Sequence, residues 1–419
     1  MIQVERLFKI FGERPQEILG LLEEGKGKDE IHEETGHVVG VQDVSFGLER
    51  GEVFVIMGLS GSGKSTLLRC VNRLIEPTAG RVVLQTDDGE VDVTSLDSSR
   101  LRAVRKRNMS MVFQRFGLFP HRDVLDNVAY GLEVQGMATD DRRRAAGEIL
   151  DLVGLGGWGT SYPDELSGGM QQRVGLGRAL ATQAPVLLMD EPFSALDPLI
   201  KVDMQDELLR IQEELHRTML FITHDLDEAL RIGSHIAIME SGRIVQKGTP
   251  EEIIVNPKTK YVADFVEHAD STGVITAATV AQALPGPRFE RVASDGKETS
   301  YARRGFPTVR VVVGNDRRLV RVESAGKPVQ LRDLDEVLST KVPEIRSQVM
   351  AVRCRPDASL REVLEGRTYT NMPALVVDSD DRLVGVVGER ELVQGILEKR
   401  APSSPPEEQD AGESVGSRA

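Results

Sequence analysis

The run Gly58-Leu59-Ser60-Gly61-Ser62-Gly63-Lys64-Ser65 has the residue types and the spacing of a phosphate-binding loop. Its glycines let consecutive backbone N–H groups turn toward one anion without Cβ clashes. The helix expected to open near Lys64 adds its positive end, about half an elementary charge. Lys64 supplies a point charge for β- and γ-phosphates. The Ser65 hydroxyl is a Mg²⁺ ligand, and Thr66 adds a phosphate contact. This is the chemistry of a nucleoside triphosphate gripped by its phosphates.

Asp190-Glu191 closes the apolar run 186–189. An aspartate there holds Mg²⁺ through water, and a glutamate beside it orients and polarises an attacking water. Leu166-Ser167-Gly168-Gly169-Met170-Gln171-Gln172-Arg173 is a second glycine-bearing turn before a helix. Its free amides and the Ser167 hydroxyl offer another anion surface. One loop already serves the phosphates of one nucleotide, so the second surface needs a different explanation.

These residues need elements to place them. GEVFVIMG (51–58), VLLMD (186–190) and MLFIT (219–223) read as short buried strands. Leu67, Leu68, Val71 and Leu74 follow the loop at helical spacing. Residues 235–248 read as a hairpin turning at Ser241-Gly242. Strands alternating with helices predict an α/β core with a mostly parallel sheet. Residues 140–155 form an amphipathic pattern with Asp near its start and Gly154 near its end, within a helical insertion over about 115–165. Residues 13–35 hold eight acidic and three basic side chains and read as a solvated helical excursion.

A length of 419 residues predicts two or three domains. With 66 acidic and 52 basic residues, a net charge of −14 excludes a general nucleic-acid surface, so no nucleic-acid partner is expected. No run approaches the roughly 18 apolar residues of a membrane helix. The N-terminal MIQVERLFKIFGERP has charges inside its apolar stretch, so a secretory leader is not expected. Cys70 and Cys354 lie far apart and form neither a disulfide framework nor a metal quartet, which suits a reducing cytosol.

The second glycine turn, LSGGMQQR, resembles the signature of ATP-binding cassette (ABC) ATPases. In that family the signature of one subunit closes on the ATP held by the phosphate loop of the other, in a head-to-tail dimer. The resemblance therefore places Ser167, Gly168, Gly169 and Gln171 on a partner's nucleotide. It assigns Gln114, in MVFQ, to the Q-loop that links Mg²⁺ and attacking water to a transmembrane partner. It assigns Ser194-Ala195-Leu196-Asp197 to the D-loop, His224 to the switch histidine at the γ-phosphate, and Phe11 to the ring stacked on adenine. Glu191, His224, Gln114 and Lys64 are the expected catalytic set, with Ser65, Gln114 and Asp190 around the metal.

The resemblance covers residues 1 to about 268. Within the family, LFKIFG, the excursion before GVQDVSF, VIMGLSGSGKST and NRLIEPTAG are similar to the ATP-binding subunits of quaternary-amine (glycine betaine, proline, choline) importers. That implies a homodimer bound peripherally at the cytoplasmic face of the cell membrane. Integral-membrane permease subunits and an extracytoplasmic substrate-binding protein or domain would complete the assembly. Import of another solute, such as an amino acid, is the alternative. A soluble ABC ATPase in repair or translation is a further one, although this chain shows one cassette and no sustained heptads.

From about 271 the texture changes. Residues 306–322 read as two strands around an Asn-Asp turn, and 372–397 as strand, acidic turn, strand, helix. The shared pattern suggests a repeat of about 65 residues. This extension resembles a tandem CBS pair of α+β type, the first copy (271–341) degenerate and the second (345–400) recognisable. Nucleotide-binding members carry Thr or Ser followed three residues later by Asp. Here Gly388 and Glu391 stand there, which puts an adenosine-type ligand in doubt and leaves sensing of ionic strength, or a purely dimerising role, open. Residues 401–419 are Pro/Ser/Glu-rich and expected to be disordered.

Overall fold

The computed structural model describes residues 1–398 apart from 115–116, 195, 268, 287–288, 304–305, 341–349 and 371. The expected tail at 401–419, Ala195 of the D-loop match and the start of the second expected repeat at 345 lie outside the described residues. The chain divides into two compact units, 1–253 with 257–269, and 254–256 with the residues from 270 onward.

The first unit opens with β1 (Ile2–Phe11), followed by α1 (Leu19–Glu23), α2 (Lys28–Thr35) and β2 (Val38–Leu48). β3 (Val53–Met57) runs into the phosphate loop and α3 (Lys64–Val71). β4 (Ala79–Thr86), β5 (Gly89–Asp92), α4 (Ser98–Asn108) and β6 (Met109–Val112) follow. Three helices come next, α5 (Val124–Gln135), α6 (Thr139–Leu152) and α7 (Gly168–Ala181). The unit continues through β7 (Val186–Asp190), α8 (Pro198–Leu215), β8 (Thr218–Thr223) and α9 (Leu226–Ile232) to the hairpin β9 (His235–Glu240) and β10 (Arg243–Gly248).

Two sheets result. One has the order β10-β9-β3-β8-β7-β6, parallel except for β10. Every residue of β3, β7 and β8 is buried, which is why these segments read as unbroken apolar runs. The other, β2-β1-β4-β5, is antiparallel and was not expected from the sequence. One core lies between them, built around Phe46, Phe54, Leu67, Leu68 and Cys70. Burial there pushes the Cys70 thiol up to about 12, so it is an inert packing group.

Two expectations change. The helical insertion does not stop at 165, because α7 packs against α5 and α6. Gly131 of α5 helps the end of α7 approach closely, since an added Cβ would stand 2.3 Å from Thr182 Cγ2. The excursion 13–35 is helical as expected, but it is not merely solvated. Its Ile18, Leu22 and Ile31 are buried against Phe8, Ile10 and Val39, a small core that fixes α2 on the β1–β2 ribbon.

The second unit holds an eight-stranded sheet in sequential order, β11 (Phe289–Ser294), β12 (Glu298–Arg303), β13 (Phe306–Gly314), β14 (Leu319–Ser324), β15 (Lys327–Asp333), β16 (Met350–Cys354), β17 (Ala374–Val377) and β18 (Leu383–Val387). It is antiparallel except where β15, β16 and β17 run parallel. The helices at 334–339, 360–367 and 389–398 accompany it. The turns of β13–β14 and β17–β18 exchange matched bonds. Leu319 N–H donates to Asp381 O and Leu383 N–H donates to Arg317 O, both at 2.9 Å, so 317 and 319 correspond to 381 and 383. The spacing is the repeat read from sequence. The copies differ because β14 continues into a third strand, β15, where β18 continues into a helix.

Candidate active site

The loop after β3 is held in one shape by its glycines. Gly63 has φ +101°, and a Cβ there would stand 2.1 Å from Gly40 O. At Gly58, φ is +150° and a Cβ would meet Met239 O at 2.2 Å. Only glycine fits both places. Ser62 Oγ is buried with no hydrogen-bond partner among the described residues. Ser60, Gly61, Gly63, Lys64, Ser65 and Thr66 all line one cleft of about 600 Å³, whereas Gly58 and Ser62 do not.

Lys64 is buried and folded back on its own loop. Its Nζ donates to Gly58 O at 2.8 Å and Leu59 O at 3.0 Å, and lies 3.9 Å from Glu191 Oε1. Burial lowers its pKa, and the charges of Glu191 and Asp190 pull it partway back. Ser65 Oγ donates to Asp190 Oδ1 at 2.7 Å, at the buried end of β7. Arg69 Nη2 holds the other oxygen, Oδ2, at 3.1 Å. Sequence reasoning missed Arg69, although its place one helical turn after Ser65, on the same face, was a usable signal.

Glu191 is the hub of the cleft. Gln114 Nε2 donates to its Oε2 at 3.3 Å, and His224 Nδ1 lies 3.1 Å from the same oxygen. Its backbone is left-handed, φ +47°, held by a bond from its N–H to Ile222 O at 3.0 Å. A non-glycine residue in that region is strained. The strain turns the carboxylate out of the β7 direction and into the cleft. The next loop is anchored beneath His224, where Lys201 joins Asp225 at 2.6 Å and the buried Glu228 at 3.2 Å.

Phe11 lines the same cleft. Lys9 Nζ covers one face of its ring, 4.9 Å from the centroid. Gly40 lies close by, since a Cβ there would come within 2.9 Å of the ring atom Cε2. Lys28, Asp29 and His32 of α2 line the cleft too, and the sequence reading did not foresee them.

The second glycine turn stands apart. None of Ser167, Gly168, Gly169 and Gln171 lines the cleft. Ser167 caps α7 by accepting from Met170 N–H, and both Ser167 and Gly168 are exposed. The Gln171 amide, expected at a nucleotide, donates to Pro163 O and Leu166 O and so ties down the approach to the turn. Asp197 stands at the start of α8 without a side-chain cap bond, beside Leu199, which is 83% exposed.

A glycine-clamped phosphate loop, a buried Asp at the end of a central strand and a Glu gathered by Lys, Gln and His define a P-loop ATPase of the ATP-binding cassette class. Residues 41–194 match the ABC transporter family. The chain is 47% identical to the glycine betaine/carnitine transport ATP-binding protein of Listeria monocytogenes, over 92% of this chain and 95% of that protein. It is 46% identical to the glycine betaine transport ATP-binding protein of Bacillus subtilis (92% of this chain, 90% of that one) and 43% to the glycine betaine/proline betaine transport ATP-binding protein of Salmonella typhimurium (94% and 97%). Among solved structures, a dimeric ATP-binding cassette bound to ADP and Pi in a post-hydrolysis state aligns with TM-score 0.50 at 30% identity, covering 60% of this chain and 99% of that one. The chain belongs to the family of ABC-transporter ATP-binding proteins, the subunits whose ATP hydrolysis energises transport. Among the described residues no helix is long and apolar enough to cross a membrane.

Proposed function

We propose that this subunit hydrolyses MgATP as a head-to-tail homodimer. It works at the cytoplasmic face of the cell membrane, coupled to integral-membrane permease subunits. The cargo is glycine betaine or a related quaternary amine, delivered by an extracytoplasmic substrate-binding protein or domain. The convergence of Lys64, Gln114 and His224 on Glu191 carries the catalytic part of the reading. Relatives named for glycine betaine, alike over more than nine-tenths of this chain, support the cargo.

When ATP enters, the loop amides and Ser62 take its phosphates, and Lys64 leaves its carbonyl partners for the β- and γ-oxygens. Thr66 adds a hydroxyl, and Phe11 offers its uncovered face to the base. Glu191, released from Lys64, accepts the proton of the attacking water, with Gln114 and His224 fixing its oxygens. No group of three or more His, Cys, Asp or Glu is placed to hold a metal among the described residues, so Ser65, Asp190 and Gln114 would hold Mg²⁺ together with phosphate and water. Bound there, the ion would supply charge neutralisation at the phosphates. Ser167, Gly168, Gly169 and Asp197 would meet the partner's nucleotide, with Gln171 setting the shape of that turn.

The cassette takes in residues 1–268, followed by CBS-like copies at 271–341 and 345–400. The matched bonds between the two strand turns support a paired module. Glu391, in the position of the family's ribose-binding acid, accepts from Gly388 N–H at 2.9 Å and is buried as a helix cap. An adenosine ligand held by that acid is therefore disfavoured, and sensing of ionic strength is the role put to the test.

The test is ATP-driven uptake in liposomes carrying the permease, the binding protein and this subunit, at low and raised internal salt. Glycine betaine uptake that rises with salt is expected. Uptake of methionine without any quaternary amine would overturn the cargo and keep the ATPase.

A further inference from the structure

We propose that α2 is a base-reading wall of the nucleotide site, and that its Asp29 and His32 give the subunit a preference for adenine over 6-oxopurines. The inference rests on the nucleotide reading of the cleft. Lys28, Asp29 and His32 line the same cleft as Phe11 and the phosphate loop. At positions i, i+1 and i+4 they share a face of the helix. Ile31, fully buried against the β1–β2 ribbon, faces the other way.

That face is fixed before any ligand arrives. Lys26 pairs with Glu34 at 2.6 Å, and Thr35 Oγ1 donates to Ile31 O at 2.6 Å. His37 Nε2 lies 2.6 Å from Glu13 O, which closes the excursion onto the end of β1. A preformed wall loses little entropy on binding.

The hydrogen-bonding sense of the wall follows from its chemistry. His32 Nδ1 is 3.2 Å from His37 O. A carbonyl only accepts, so Nδ1 carries the hydrogen, and in the neutral ring Nε2 is left as an acceptor. Asp29 is an acceptor as well. Neither Asp29 nor the His32 Nε2 atom has another partner among the described residues. Two acceptors beside an aromatic ring match the exocyclic amino group of adenine and oppose the 6-oxo group of hypoxanthine or guanine. Lys28, half-buried at the same wall, adds a cation that favours any nucleotide over none.

Competition of ATP and ITP against a ribose-tagged fluorescent ATP, on the full chain, tests this. Wild type should bind ATP about tenfold more tightly than ITP. The Asp29→Ala/His32→Ala pair should bring the ratio near one, mainly by weakening ATP. Lys28→Met should weaken both equally. A wild type without preference, or a double variant with the wild-type ratio, overturns the inference. Lys64→Ala is the separate control, because undiminished binding in that variant would sink the nucleotide reading itself.

Discussion

The chain carries two glycine-bearing turns that open helices, and they are finished to different degrees. The turn at 58–65 is packed at both its ends, although Leu59, Ser60 and Gly61 are exposed. Met239 O and Gly40 O press against its glycines, Lys64 is buried, and Asp190 and Glu191 stand opposite. The turn at 166–173 has Ser167 and Gly168 in the open, and of its two glycines Gly169 alone packs closely, against Ile200. Both present helix-terminal amides, yet only the first is provided with a base, a lysine and a metal-side carboxylate. This contrast suits the proposed reading, in which the open turn is one wall of a site completed by another copy.

The largest effect should follow from disarming the furnished turn. Glu191→Gln should lower phosphate release at least about 100-fold while ATP is still bound. Turnover within a few-fold of wild type would remove Glu191 from its role. Breaking the bare turn with Ser167→Arg should also abolish turnover, but without touching the cleft. Mixed with Lys64→Ala, an equally dead chain, it should regain about a quarter of wild-type turnover. Half the dimers are then mixed, and each holds one intact pair of walls. No recovery on mixing would mean that the two turns do not meet in trans.

The contrast can be sharpened by stability. Gly63→Ala forces a side chain into left-handed backbone against a carbonyl and should cost about 2–3 kcal/mol in thermal unfolding. Gly168→Ala has open space around its new Cβ and should change stability by less than about 0.5 kcal/mol. A similar cost at both would erase the distinction.

The anchor below His224 should respond to pH. Burial alone would lower the Lys201 pKa, but Asp225 and Glu228 raise it, so its stabilising share persists below the ordinary lysine range and is lost above it. Burial alone would raise Asp225, but Lys201 lowers it, so its share is lost only as pH falls below the ordinary aspartate range. Glu228 is raised by burial and therefore costs stability once ionised. Lys201→Met should destabilise by about 2 kcal/mol at pH 7.5 and by less at pH 5, where Glu228 takes up its proton more readily. Melting curves at the two pH values check the sign.

What was legible in the sequence is what is local. The phosphate loop, the strands β3, β7 and β8 and the hairpin β9–β10 announce themselves through glycine spacing and unbroken apolar runs. The β2-β1-β4-β5 sheet did not, because β1 finds its partner only after the whole 13–35 excursion, and pairing across such a gap leaves no periodic trace. The same gap hid what α2 packs against. Its Ile31 is one apolar residue among charges, and only the fold shows it buried and its neighbours at the nucleotide cleft. Arg69 was passed over because a lone basic residue on a helix resembles any solvated one until Asp190 is placed beside it.

The position of Glu191 has a further consequence. The carboxylate already sits beside Lys64, so in the proposed mechanism it is a built-in rival of the γ-phosphate for that cation. Being tethered, it keeps a constant effective concentration however dilute the protein becomes. On that reading each nucleotide evicts this rival before it is seated, and the evicted group is the one that then works on its terminal phosphate. A single ion pair would thus set both how readily the subunit fills and how soon its base is free, so that tighter holding in the resting state would trade affinity against idle firing.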